Sequence, residues 1–374
     1  MSDHQPGLSF KPHLSNAPHY RGETAVLKTL PAAGDPAEVI RLDSNESLLP
    51  PSAHAVAAIQ AEAAGLNRYP LLMGDGPLRT ALAESLGQAV SPAHLVTGNG
   101  GCDVLALIAS AFLSPGDEVI ICRPTFPVYD LTARRQGATV TYVDLDPTDF
   151  SYQVEAILAA ITAHTRLLYL CNPNNPTGTL LTAEQMDRLI QGLPSHVLTI
   201  SDEVYYHFVT SPDFPNTLDY VRQGKNVVVL HSFSKVFGLA GLRLGYGIAR
   251  PEVADYLARA RQPYHLSQLS MAGAMAALQD QAHIEETIAL TIAGRNWLYE
   301  ALQGLKLPVW PSQANFILFK PPLAPEIIVR HLAGQGVMIR GLAGFYLPDY
   351  LRVTVGLPPE NERFRAALAA ALLE

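Results

Sequence analysis

The chain has 374 residues, with 26 lysines and arginines against 34 aspartates and glutamates, a formal net charge of −8. Almost half of it (48%) is apolar and 16% is charged, which suits one large or two medium globular domains and excludes a disordered or fibrous chain. The acidic balance has no long basic run, which speaks against nucleic acid as the main partner.

The longest clean apolar stretch, 104–113, is about half of what a membrane crossing needs. The N-terminus shows no basic start followed by an apolar segment, so the expectation is a cytoplasmic protein with no membrane partner. Three scattered cysteines make neither a disulfide framework nor a cysteine-rich zinc site, and the twelve dispersed histidines show no zinc-ligand spacing.

The first fifty residues are rich in Pro, His, Gly and Asn and read as an extended arm. Ser52 caps an alanine-rich helix running to about 64, and Gly76-Pro77 opens another through 86. Between 95 and about 249, apolar runs at 118–122, 139–143, 167–170, 197–201, 227–230 and 244–248 read as strands. They alternate with helical patterns at 103–113, 128–136, 154–161 and 183–193. That interleaving predicts α/β architecture, a mostly parallel sheet sandwiched by helices. From 251 onward helices dominate, with short strands near 309–310, 316–319, 337–340 and 351–355 and a closing helix over 359–373. This second texture predicts a smaller α/β domain. The expected division is an arm that also joins the small domain (1–50), a large domain (51–255) and a small C-terminal domain (256–374).

Lysine is scarce, six against twenty arginines, and one of the six stands apart. Lys235 directly follows the apolar strand 227–230, within Ser232-Phe233-Ser234-Lys235-Val236-Phe237-Gly238. A lysine held in apolar surroundings beside a cation loses proton affinity and becomes a usable amine nucleophile. Ser232, Ser234 and Arg243 flank it with hydroxyls and a guanidinium suited to a phosphate. Glycines at 238, 241 and 245 permit close backbone approach. The combination points to a phosphorylated carbonyl cofactor.

Ser-x-Ser-Lys-x-Phe-Gly-x-x-Gly-x-Arg-x-Gly-Tyr at 232–246 resembles the signature of class I/II aminotransferases, the fold-type I enzymes that use pyridoxal 5′-phosphate. Further motifs fall in that family's order: Gly98 to Asp103, Pro124 to Tyr129, Asn172-Pro-Asn-Asn-Pro-Thr-Gly178, Asp202-Glu-Val-Tyr205 and Leu351 to Gly356. The most similar subgroup is that of the histidinol-phosphate aminotransferases, through 42–46, Arg68-Tyr69-Pro70 and the ending at 351–361. Two departures stand out: Ser47-Leu48-Leu49 follows Asn45-Glu46 where Asn-Pro is more usual, and His231 stands where Arg is common.

Asp202 closes a strand at the carboxyl edge of the sheet, where ligands sit in open α/β folds, and a carboxylate there can keep a pyridine nitrogen protonated. By resemblance, Tyr205 and Asn175 bond the cofactor's phenolic oxygen. Backbone N–H groups at Gly101, Cys102 and Asp103 form a phosphate seat at a helix N-terminus. Phe126 fills the position that stacks on the cofactor ring, its rival reading being a core phenylalanine. Tyr69 resembles a residue that reaches across a two-fold homodimer to the phosphate, against an ordinary exposed loop tyrosine. Arg352, set between apolar residues in a strand, needs an anionic partner, which the resemblance supplies as the substrate's carboxylate or phosphate; Arg340 assists. Asn45 and the stretch starting at Tyr20 form the substrate-side lid, and His207 and His231 read as satisfied core or loop histidines.

The resemblance thus implies a transaminase moving an amino group from histidinol phosphate or a related amino acid to a 2-oxo acid such as 2-oxoglutarate, with ping-pong kinetics. Lys235 is the cofactor's covalent anchor and its general acid–base. A decarboxylase or a specialised amino-acid-modifying enzyme on the same fold could share every motif. A transcription regulator with an aminotransferase-like sensor would need an added helix-turn-helix segment, for which this chain offers no room.

Overall fold

The computed structural model describes residues 11–15, 39–70, 74–87 and 90–373. Seven strands form the main sheet: β2 (Leu95–Gly98), β3 (Glu118–Arg123), β4 (Thr139–Asp144), β5 (Thr165–Cys171), β6 (Leu198–Asp202), β7 (Val227–Ser232) and β8 (Gly245–Ile248). Their spatial order is β2-β8-β7-β6-β5-β3-β4, parallel except for β8, which runs against both neighbours. The continuous apolar runs follow from burial on both faces. Along β7, Val227 and Val229 join one apolar cluster, whereas Val228 and Leu230 join the cluster on the opposite face.

The helices begin where the sequence supplies caps. Ser52 Oγ accepts the Ala55 N–H at 3.2 Å at the head of helix Ala53–Ala63. Thr182 and Gln185 bond each other's backbone reciprocally before helix Ala183–Gly192. Every strand and helix expected between 118 and 249 is present within a few residues of its predicted limits. The edge strand β2 is too short to stand out as an apolar run, being four residues that end in glycine.

A second sheet carries β9 (Phe316–Phe319), β11 (Arg340–Gly341) and β12 (Leu351–Thr354) in the antiparallel order β11-β12-β9. A third pairs β1 (Ile40–Arg41) in parallel with β10 (Val337–Met338). The run expected as one strand at 337–340 therefore divides between two sheets, because β10 and β11 face different partners. The residues expected as a strand at 309–310 contribute a single bridge, Val309 to Phe319. Within the stretch expected as an extended arm that also joins the small domain, the described residues place β1 beside β10. Two residues carry too little pattern to reveal a strand. Helix Gln281–Gly304 ties these parts together through the buried Arg295, whose Nη1 donates to the carbonyls of Phe208 and Ala314.

Among the described residues, no helix is long and apolar enough to cross a membrane, and no group of His, Cys, Asp or Glu side chains could hold a metal ion.

Candidate active site

The carboxyl ends of β5, β6 and β7 meet at one edge of the sheet, opposite β12 of the second sheet. Register sets Cys171 beside Asp202, and Asp202 beside Leu230. Asp202 is 3% exposed, and burial pushes its carboxyl pKa up to about 6, against the opposing pull of the Tyr129 hydroxyl. That hydroxyl donates to Asp202 Oδ2 at 2.6 Å, and the Tyr129 ring stacks on Tyr169 with centroids 5.0 Å apart. Tyr129 thus fixes which way the carboxylate points. Its motif was visible in the sequence, but its role was not, since the bond spans 73 residues.

Lys235 lies in the loop after β7. Its Nζ donates to the Asn45 carbonyl at 2.8 Å and sits 5.2 Å from the Tyr205 ring centroid. Burial, and then the positive Arg352, lower its pKa to about 8. An ammonium that sheds its proton this readily can act as nucleophile and base near neutral pH.

The residues expected to seat a phosphate fall where three adjacent strands meet. Gly98 of β2 and Ser232 of β7 both stand opposite Gly245 of β8. Helix Gly101–Phe112 starts just beyond, and the first N–H groups of a helix have no partners inside it. A Cβ on Gly100 would lie 2.5 Å from Arg243 Nη2, and one on Gly245 would lie 2.5 Å from the Gly101 nitrogen. Gly245 is therefore required by close approach to backbone, and Gly100 by its φ of 90°, since the Arg243 side chain can swing aside. Ser232 Oγ and Ser234 Oγ bond each other at 3.0 Å on the same rim. The Asp103 carboxylate accepts the Asn99 N–H at 2.8 Å, and the Asp103 N–H donates to the Gly100 carbonyl, beside Gly101 and Cys102 at the head of the helix. Desolvation, and then the Asp202 carboxylate, push the Cys102 thiol pKa up, although part of its surface is exposed.

Facing this floor are Arg352 and Arg340, cross-strand partners on β12 and β11. Both guanidiniums lie against Phe345, at 5.2 and 5.8 Å from its centroid. Like charges opposite one another on paired strands repel, which an anion between them reverses. Arg352 is 3% exposed and donates to Asn175 Oδ1 and to the Asp43 carbonyl. Asn45 Nδ2 donates to the Tyr205 hydroxyl at 3.0 Å, and the Asn45 N–H bonds Thr354 Oγ1. Asn45 is 1% exposed, so it forms part of the wall, and Asn315 pins its segment through the carbonyls of Asn45 and Glu46. No motif marks Asn315 in the sequence. Phe126 is half-buried and meets Tyr129 edge-on at 5.7 Å. Tyr69 lies apart, 77% exposed and stacked on Tyr264. Tyr20 falls outside the described residues.

The cleft combines a lysine of lowered proton affinity, a buried carboxylate and a glycine-lined anion cradle within one space. A family model described as aminotransferase class I and II matches residues 37–368. The chain belongs to the class I and II aminotransferases. A histidinol-phosphate aminotransferase of Moorella thermoacetica is 39% identical to it over 340 residues, 90% of this chain and 86% of the relative. Histidinol-phosphate aminotransferase 2 of Pseudomonas fluorescens is 40% identical over 339 residues, 90% of each chain. Among solved structures, the histidinol-phosphate aminotransferase of Sinorhizobium meliloti in complex with pyridoxal 5′-phosphate superposes with a TM-score of 0.85 and 26% identity, covering 97% of each chain. An aspartate aminotransferase of Thermotoga maritima shares the fold at a TM-score of 0.85 and 23% identity, over 98% of this chain and all of its own. This aminotransferase uses pyridoxal 5′-phosphate and catalyses transamination. The donor set of the cleft fits that cofactor: an amine for its aldehyde, a carboxylate for its ring nitrogen and a cradle for its phosphate.

Proposed function

We propose that this aminotransferase takes histidinol phosphate as amino donor and 2-oxoglutarate as acceptor. The reading extends to a cytoplasmic homodimer with shared sites and to the three-part division at residues 50 and 255. The observation that carries the substrate assignment is the facing pair Arg340 and Arg352, two cations on adjacent strands above the cleft. Such a pair grips a dianionic phosphate, and equally the distal carboxylate of a 2-oxo acid, so one site serves both half-reactions. The names carried by relatives near 40% identity support the same choice.

When bound, pyridoxal 5′-phosphate supplies the aldehyde that receives the amino group and a ring that takes up electron density. The chain does the rest. Ser232, Ser234, Arg243 and the N–H groups of Gly101 and Cys102 would hold the phosphate, and Phe126 would be the aromatic beside the ring. Asp202, aimed by Tyr129, holds the proton at the ring nitrogen. Asn175 and Tyr205 bond the phenolic oxygen. Lys235 would anchor the aldehyde through its amine and, with its lowered proton affinity, would act as the base and acid for the proton at the donor's amino-bearing carbon. Tyr69, exposed on this subunit, extends to the phosphate of a second copy.

A half-reaction screen tests the assignment. Purified holoenzyme is mixed with single donors without acceptor, and absorbance follows the cofactor from its aldehyde to its amine form. Histidinol phosphate should convert it faster than any common amino acid. An inert histidinol phosphate beside a reactive amino acid transfers the assignment to that amino acid, and carbon dioxide release would replace transamination by decarboxylation.

A further inference from the structure

Next to Asp202 lies a second buried carboxylate that the mechanism does not use. Glu203 is 4% exposed. Alternation along the chain sends it away from the cleft, to the side of Ser201, whose hydroxyl donates to Glu203 Oε1 at 2.7 Å. Its Oε2 lies 3.7 Å from His231 Nε2. Among the described residues, His231 is the one side chain able to carry positive charge within ion-pair reach of Glu203. His231 is itself 2% exposed at the end of β7, stacked on the Tyr206 ring at 4.1 Å, with Nδ1 3.3 Å from the Tyr246 hydroxyl. Its Nε2 has no hydrogen-bond partner and is left facing Glu203.

We propose that His231 is a positioning residue: it supplies the counter-charge to Glu203 and thereby keeps the adjacent Asp202 ionised towards the cofactor's ring nitrogen. Two buried carboxylates on consecutive residues cannot both stay charged cheaply, and one is driven to hold a proton. A protonated Asp202 loses its hold on the ring nitrogen. Among the described residues, the titratable groups near enough to act on the Asp202 charge include Tyr129, Glu203, Lys235, Cys102, Cys171, Tyr205 and Tyr152. Of these Glu203 is the one other carboxylate, and it acts to raise the Asp202 pKa. The groups facing His231 are Glu203, Tyr206, His207 and Tyr246. Burial holds the His207 pKa down to about 3, so that second imidazole stays neutral and brings no charge to Glu203. With His231 in place, the Glu203 charge is compensated on its own side of the strand.

This rests on Asp202 being the partner of the ring nitrogen, and the experiment separates the two ideas. The affinity of full-length apoenzyme for pyridoxal 5′-phosphate is measured against pH by intrinsic fluorescence, in wild type, His231→Gln, Glu203→Gln, the double variant, His231→Arg and Asp202→Asn. In His231→Gln the acid limb of the affinity profile should move up by about one pH unit, with binding about fivefold weaker at the wild-type midpoint and about tenfold weaker well below it. Glu203→Gln should move the limb down, the double variant should return to within about threefold of wild type, and His231→Arg should keep the wild-type limb. An unchanged limb in His231→Gln, or a double variant as impaired as His231→Gln, overturns the proposal. Should His231→Gln fail to fold, Glu203→Gln decides: an unmoved or raised limb overturns it. If Asp202→Asn keeps the wild-type limb, the reading of Asp202 itself falls. If Asp202→Asn flattens the limb while His231→Gln leaves it untouched, the role of His231 alone is rejected.

Discussion

A single burial gradient acts in opposite directions on the two central ionisable groups. It lowers the Lys235 pKa to about 8 and raises that of Asp202 to about 6, because the low-dielectric cleft penalises both charged forms. Lys235→Ala should remove the covalently bound cofactor's absorbance and cut turnover by about 10⁴-fold, the upper end for a general acid–base; a spectrum and a rate on one sample check both. Asp202 has a pKa raised on folding, from 3.8 to about 6, so the folded apoenzyme binds more protons than the unfolded chain between those values. Stability therefore falls as pH rises through that window and stays lower above it. Apo Asp202→Asn, which carries no charge to bury, should then be the more stable form near pH 7, by up to about 3 kcal/mol, while gaining little from added cofactor. Thermal melts with and without pyridoxal 5′-phosphate read out both effects. At Arg352, replacement by lysine keeps the charge but loses the planar fork. KM for the anionic substrate should rise about 10- to 100-fold, the equivalent of one charged hydrogen bond, with a smaller change in kcat.

At the scale of elements, the active cleft depends on backbone approach as much as on side chains. β8 runs antiparallel between β2 and β7, and its first residue, Gly245, lets the head of helix Gly101–Phe112 settle against the sheet. A methyl there would meet backbone at 2.5 Å, where no side chain can swing aside. Gly245→Ala should cost about 1–3 kcal/mol of stability and weaken cofactor binding together. By contrast, alanine at Gly241, whose surroundings are open, should leave both measurements close to wild type. Denaturant melts and cofactor titration distinguish the two sites.

At the scale of the whole molecule, the candidate site draws on widely separated parts of the chain. Asn45 follows β1, Asp202 ends β6, Lys235 lies in the loop after β7, and Arg340 and Arg352 come from β11 and β12. The proposed homodimer adds Tyr69 from a second copy. Mixing Lys235→Ala with Tyr69→Ala subunits tests that sharing. If Tyr69 serves the partner's site, each hybrid carries one site with both defects and one with neither, so activity should rise above that of either parent. If Tyr69 serves its own site, mixing restores nothing.

The sequence by itself determined the family and the cofactor class. Lys235, Asp202 and the glycines around Arg243 stand in contiguous motifs, whose spacing a loop or strand end keeps whatever the surrounding fold. It also determined the main sheet, because strands buried on both faces are written as unbroken apolar runs such as 227–230. Short pairings escaped it: β1 and β2 are two and four residues long, and partner choice split 337–340 between two sheets. The tertiary structure alone decided the contacts between distant segments, such as Tyr129 with Asp202, Asn45 with Lys235 and Arg340 beside Arg352. The physical reason is that motifs record local backbone needs, whereas a pKa or an anion grip depends on which charges folding brings together and how much water it removes.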